Sequence, residues 1–435
     1  MNKNTFIVGF MLFAIFFGAG NLIFPPKLGL ESGVTFFPAM LGFILSGVGF
    51  PLLGIIVSAF YEGGYKNALN RVHPWFSILF LVAIYLSIGP FFAIPRTAAT
   101  AYEMAILPFI GTSDSLSLFI FTFIYFSLAI WFSINPSKMV ERIGAILTPI
   151  LLLSILVLVI RAVFLLGGTD IAESAVNISE ISNHKGFFEG FINGYLTMDA
   201  LAAIAFSVIV IAAIKSKGVS EGKALIKQTI SAGIIAAISL GAIYLAIGWI
   251  GHHLPISQET LNQLNANQQD IGTYILNAIT TQAFGEFGRS VLGLIVSLAC
   301  LTTAIGLIVA VSEYFNEIYH KIAYKTYVIV FTLIGFIIAN QGLNTVISKS
   351  IPVLLVLYPI AMTVMLLLLV NLFIRLPNLA FRMAILFVSI IAFCSVADLP
   401  FVQYLPLKAH SLEWLVFAIS GTFLGYIFSA IKVAK

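Results

Sequence analysis

The run Phe16-Phe17-Gly18-Ala19-Gly20-Asn21-Leu22-Ile23-Phe24-Pro25-Pro26 places two glycines, an asparagine and two prolines inside an otherwise apolar stretch. Pro25 and Pro26 offer no N–H to the carbonyls of Asn21 and Leu22, four residues back. Gly18 and Gly20 let the backbone leave helical geometry and come close to another group. The pattern predicts a broken helix with free peptide groups. Half-helix ends present carbonyls to cations and amides to carboxylates, so such a break suits a zwitterion. The other reading is a proline kink with small residues for tight helix packing.

A second irregular stretch, Gly190-Phe191-Ile192-Asn193-Gly194-Tyr195-Leu196-Thr197-Met198-Asp199-Ala200, sets an acid inside an apolar run. A carboxylate at the centre of a membrane span costs about 2.5–3.5 kcal/mol, so Asp199 needs a partner or a proton. Three roles are open to it: capping a second half-helix, accepting a proton, or standing near a cation. A third stretch, Ala299-Cys300-Leu301-Thr302-Thr303-Ala304-Ile305-Gly306, puts residues 299, 302 and 303 on one helical face. Hydroxyls and a carbonyl are hard oxygen ligands of the kind small cations take. Paired threonines in a span also bond back to the carbonyl of residue i−4.

The elements that must position these residues are membrane spans. Of 435 residues, 60% are hydrophobic and 9% charged, and mean hydropathy is +1.06, far outside soluble composition. A bilayer core takes roughly 20 apolar residues of helix, and the sequence supplies such runs near 5–28, 34–59, 75–105, 117–134, 141–165, 187–214, 228–250, 290–315, 324–340, 350–373, 381–397 and 411–431. Lys3 ahead of the apolar run from Phe6 looks like a secretory signal, but the run continues through Phe24 without a polar release segment and is read as the first span. Most Lys and Arg fall on one side, among them Lys66, Arg71, Lys215, Lys217, Lys223 and Lys227. The positive-inside rule then puts both termini in the cytoplasm of a cell inner membrane. Two longer outer segments, 166–186 and 252–272, follow the fifth and seventh spans.

One transmembrane domain fills residues 1–435. It divides into a first five-span repeat at about 5–165, a second at about 187–373, and two extra helices at about 381–431. Five being odd, the second repeat enters from the opposite side and the pair is inverted. Cys300 and Cys394 each sit in an apolar run, so two free thiols are expected. The basic residues occupy short loops and do not indicate nucleic acid. No Gly-rich nucleotide loop of Walker type is present. Nor do the spans carry a cluster of His, Asp or Glu for a metal or membrane-embedded chemistry, and His252 and His253 lack companions at ligand spacing. The chain is therefore not expected to be an enzyme or to need a cofactor or an obligatory protein partner. A channel remains the alternative to a carrier, and counterflow separates the two.

The stretches Gly9 to Pro26, Ile88-Gly89-Pro90-Phe91-Phe92-Ala93-Ile94-Pro95-Arg96-Thr97 and Tyr195-Leu196-Thr197-Met198-Asp199-Ala200 together resemble the bacterial branched-chain amino acid (leucine, isoleucine, valine):cation symporters. These are similar in fold to the leucine-transporter architecture of two inverted five-helix repeats with discontinuous helices 1 and 6. The resemblance implies an all-α polytopic protein of about 12 transmembrane helices, and import of branched-chain amino acids by Na+ or H+ symport with alternating access. Transport of other neutral amino acids is the alternative. It also implies a substrate carboxylate received by amides around Gly18, Ala19 and Gly20, and an ammonium at carbonyls near Phe16 and Thr197. A cation would sit between the carbonyls of Ala14, Phe17 and Ala299 and the hydroxyls of Thr302 and Thr303. Asn21 matches a position that helps a second cation in the wider fold, and Asp199 departs from the commoner small residue there.

Two further features sit in the third run. Arg96 and Glu103, read as near its outer end, suit an extracellular gate or snorkelling toward headgroups. Pro90 and Pro95 free the carbonyls of Leu86 and Phe91, giving a substrate-facing bend or a simple kink.

Overall fold

The computed structural model describes residues 3–61, 63–111, 114–134, 138–168, 183–216, 219 and 222–433. Among them all regular structure is helical. Nine of these helices are long and apolar enough to cross a membrane, and the shorter Thr5–Phe16 and Tyr324–Ala339 are apolar too. Most of the outer segment 166–186 lies outside the described residues, as does Lys217.

Each expected span falls on a helix or a pair of helices. Span 1 is Lys3–Phe16 and Ala19–Ser32, and span 2 is Phe36–Ile44 and Phe50–Ser58 joined by a π turn. Span 3 is Pro74–Leu86 and Ala93–Ala105, span 4 Ser115–Ile134 and span 5 Lys138–Leu166. Span 6 is Asn183–Asn193 and Asp199–Ser216, and span 7 is Lys223–His253. Spans 9 to 12 are Tyr324–Ala339, Leu343–Phe373, Asn378–Val396 and Glu413–Val433.

Span 8 departs most from expectation. Its helix runs Ile271–Ile318, 48 residues, with a bend at Gly285 (φ 69, ψ −168). At 1.5 Å per residue that is roughly 70 Å of helix, more than twice a ~30 Å hydrocarbon core. The leg before Gly285 packs over the second half of span 1: a Cβ at Gly272 would stand 2.0 Å from the carbonyl oxygen of Ile23. Its mixed polar sequence hides this leg from a hydropathy reading, which starts the span near 290. Asp270 caps it, its Oδ1 accepting from the Thr273 amide at 3.0 Å.

Small residues let the helices approach, as expected where lipid supplies no hydrophobic drive for helix association. A Cβ at Gly29 would stand 2.0 Å from the Gly248 carbonyl oxygen, fixing span 1 against span 7. One at Gly190 would stand 1.8 Å from the Ala39 oxygen, fixing span 6 against span 2. Spans 11 and 12 pack on each other through Gly421 and Gly425, seated against Ala384 and Ala380. The thiols of Cys300 and Cys394 are both free.

Candidate functional site

In span 1 the helical ladder ends where the Phe17 amide donates to the Phe13 carbonyl at 2.8 Å. Gly18 is extended (φ −113, ψ −169), and the ladder resumes with the Asn21 amide donating to the Gly18 carbonyl at 3.2 Å. A helix end leaves its last carbonyls, and a helix start its first amides, without helical partners. The backbone of Ala14 to Phe17 therefore presents carbonyls, and that of Ala19 and Gly20 presents amides, to one point. Pro25 and Pro26 lie inside the second half-helix, so they do not make the break. The chain leaves helical geometry at glycine, and the prolines are absorbed by packing, with Gly251 seated on the Pro26 carbonyl.

In span 6 the first half ends at Asn193, a 3-10 turn covers Gly194–Thr197, and Met198 adopts left-handed geometry (φ 65, ψ 8). A positive φ is uncommon outside glycine. Asp199 starts the second half, yet its side chain is not the cap: its amide donates to Thr197 Oγ1 at 3.3 Å, and that hydroxyl donates to the Gly194 carbonyl at 2.9 Å. Capping by threonine leaves the carboxylate free to reach span 1. Asn21 Nδ2 donates to Asp199 Oδ2 at 2.6 Å and also to the Tyr244 hydroxyl, which donates in turn to the same carboxylate oxygen at 3.5 Å. Asn21, Asp199 and Tyr244 are buried, so the two broken spans and span 7 meet in a closed polar triangle. Sequence reasoning singled out Asn21 and Asp199 but not Tyr244. The available signal was a phenol inside an apolar run, whose hydroxyl needs a buried partner.

Span 3 is broken as well. Gly89 is non-helical (φ −95, ψ −122) within the π turn Ser87–Phe91, and Pro95 lies in the first turn of the helix that follows. Pro90 therefore lies within an interruption and Pro95 just after it, so span 3 is broken rather than smoothly kinked. It places Arg96 deep in the bundle, 4% exposed, and not at the outer end. Nine residues, roughly 14 Å of helix, separate it from the end of that helix at Ala105, beyond the reach of snorkelling. Arg96 Nη1 donates to the Leu196 carbonyl at 2.5 Å and Nη2 to the Thr197 carbonyl at 3.3 Å. Its guanidinium lies over the Phe24 ring, 5.3 Å from the centroid. The Thr197 carbonyl, expected to face an ammonium, thus already holds a guanidinium.

Among the cation-site residues, Thr303 faces the first break: a Cβ on Gly18 would stand 3.9 Å from its Cγ2. Thr302 Oγ1 and Thr303 Oγ1 both donate to the Ala299 carbonyl, at 2.8 and 3.0 Å. Back-bonding spends the one proton of each hydroxyl and leaves its lone pairs, so it is compatible with a ligand role without requiring one.

Two further contacts bind the ends of the bundle. Glu103 Oε2 accepts from Thr273 Oγ1 at 2.5 Å and from the Asp270 amide at 3.1 Å, while Asn277 Nδ2 donates to the Glu103 carbonyl at 3.1 Å. Glu103 is therefore buried against the leg of span 8 rather than turned to headgroups. At the other end Lys66 pairs with Glu317 at 2.6 Å, and Tyr85 stacks on Tyr314 with centroids 3.9 Å apart. Among the described residues no group of three or more His, Cys, Asp or Glu is placed to hold a metal ion.

A bundle of membrane spans whose first and sixth are broken and joined through a buried polar centre has the fold of a secondary transporter. It is similar over 97% of its length to Mhp1, a nucleobase-cation-symport-1 family transporter solved with bromovinylhydantoin bound (TM-score 0.60, 12% identity, 91% of that chain). It is similar over 98% to MhsT solved with L-phenylalanine (TM-score 0.58, 15% identity, 98% of that chain). The family model described as branched-chain amino acid transport protein matches residues 1–432. Relatives provisionally named branched-chain amino acid carrier proteins include one from Staphylococcus saprophyticus, 53% identical over 99% of this chain and 97% of the relative. Another, from Staphylococcus aureus (strain MRSA252), is 52% identical over 98% and 97%. The chain belongs to the branched-chain amino acid transport protein family, a family of membrane transporters and not of enzymes.

Proposed function

We propose that the chain imports leucine, isoleucine and valine across the bacterial cell membrane by cation symport with alternating access, with both termini cytoplasmic. The observation that carries the reading is the break at Gly18. It sets helix-end carbonyls and helix-start amides at one half-buried point between the buried Phe17 and Ala19, where an α-amino acid finds a partner for each of its charges. The substrate's carboxylate lies against the amides of Ala19 and Gly20, and its ammonium against the carbonyl at Phe16, the Thr197 carbonyl being held by Arg96. The coupling ion is Na+ at Ala14, Phe17, Ala299, Thr302 and Thr303, or H+ at Asp199. Spans 1 to 5 and 6 to 10 act as two inverted repeats, which the recurrence of a break in the first span of each supports. Opening to one side breaks the Glu103 contacts, and opening to the other breaks the Lys66–Glu317 pair.

Purified protein in proteoliposomes tests this. Labelled leucine accumulates under an imposed inward gradient of Na+ or of H+, and exchanges by counterflow without net flux. Uptake that ignores both gradients, or conduction without counterflow, contradicts the reading.

A further inference from the structure

We propose that Arg96 reads the carboxylate of the substrate, making span 3 a third wall of the binding site; this rests on the transport reading above. Arg96 Nη2 lies 2.8 Å from the point where a Cβ on Gly20 would stand, and Cζ lies 3.1 Å from it. The guanidinium therefore borders the position where the amides of Ala19 and Gly20 are left over by the helix break. Two kinds of donor, fixed amides and a permanent cation, face one spot.

Charge balance points the same way. Arginine stays protonated and carries five N–H donors, of which two go to the carbonyls of Leu196 and Thr197. Among the described residues no carboxylate is in ion-pair contact with it; Asp199 acts on it only through space, its Oδ2 being taken by Asn21 and Tyr244. A buried cation with no carboxylate in contact is incompletely compensated, and the arriving carboxylate supplies the contact. The carbonyl bonds and the Phe24 face hold the fork in place before the ligand comes, so little ordering is left to binding. The site then selects for the α-carboxylate itself.

The test is equilibrium binding of labelled leucine to the purified full chain, competed by leucine or by leucinol, which keeps the ammonium and side chain but lacks the carboxylate. Wild type should prefer leucine by about a hundredfold. In Arg96→Gln the preference should collapse to within about threefold, through loss of leucine affinity and not of leucinol affinity. Arg96→Lys, which keeps charge but not the fork, should fall between the two. A folded Arg96→Gln protein that keeps the wild-type ratio, or loses both ligands equally, overturns the proposal and leaves Arg96 a strut between spans 3 and 6. If Arg96→Gln does not fold, wild type and Arg96→Lys decide: comparable binding of leucinol and leucine by wild type, or an unchanged ratio in Arg96→Lys, overturns it. Absence of leucine binding by wild type would instead sink the transport reading.

Discussion

Asn21 of span 1 donates to Asp199 of span 6 at 2.6 Å, a buried bond between residues 178 positions apart. It is placed beside both helix breaks, so the two interrupted spans are tied at the point where a ligand would part them. Asn21→Ala removes the shorter of the two hydrogen bonds that reach Asp199 Oδ2 from spans 1 and 7 and should cost about 1–3 kcal/mol. Combined with Asp199→Ala in a double-mutant cycle, the two should be non-additive by about 0.5–3 kcal/mol, read from thermal unfolding in detergent. Additive losses would show that the bond contributes nothing in the folded protein.

The two glycines of the first break should behave differently. A Cβ at Gly20 collides with Arg96 and also lies 3.1 Å from the Phe24 ring, whereas at Gly18 it meets Thr303 at an ordinary 3.9 Å. Gly20→Ala should therefore weaken leucine binding by tenfold or more, about 1.4 kcal/mol, and Gly18→Ala much less. Larger side chains at either position should block the site. Equal effects of the two alanines in a binding titration would argue against the placement of Arg96.

Thr303→Val keeps shape and deletes a hydroxyl beside Gly18. If Thr303 is a cation ligand, half-maximal uptake should require several-fold more of the coupling ion, with thermal stability changed by no more than about 1 kcal/mol, and Thr303→Ser should restore it. An unchanged ion dependence would reduce Thr303 to its bond with the Ala299 carbonyl.

Thr273→Val removes the closest donor to Glu103, 2.5 Å away, inside a buried network. Loss of about 1–3 kcal/mol of stability is expected, together with faster alkylation of a cysteine introduced in the cleft between span 3 and the leg of span 8. Unaltered labelling would mean that the contact does not hold that end closed.

How far the sequence reaches is clear from particular residues. The breaks at Gly18 and before Asp199 were legible because glycine and an intramembrane acid are expensive inside an apolar helix without a reason. Partnership was not legible: nothing local to Asn21 names Asp199, and Tyr244 reads as an ordinary core aromatic. Arg96 was misplaced because span 3 exceeds the bilayer thickness, so position along the run does not fix depth. Its interruption at Ser87–Phe91 reorients the half that carries Arg96. Pro25 and Pro26 lie inside an intact half-helix, since a proline marks missing bonds but tertiary packing decides where the helix yields.

The central claim, cation-coupled movement of a neutral zwitterion, is tested most directly by leucine accumulation in proteoliposomes with the potential set by potassium and valinomycin and the Na+ and H+ gradients held constant. One monovalent cation per leucine moves one net charge, and 100 mV supplies about 2.3 kcal/mol per charge. At about 1.4 kcal/mol per tenfold ratio, the potential alone should sustain roughly 40- to 50-fold accumulation. A steady-state leucine ratio that does not respond to the potential would contradict the account.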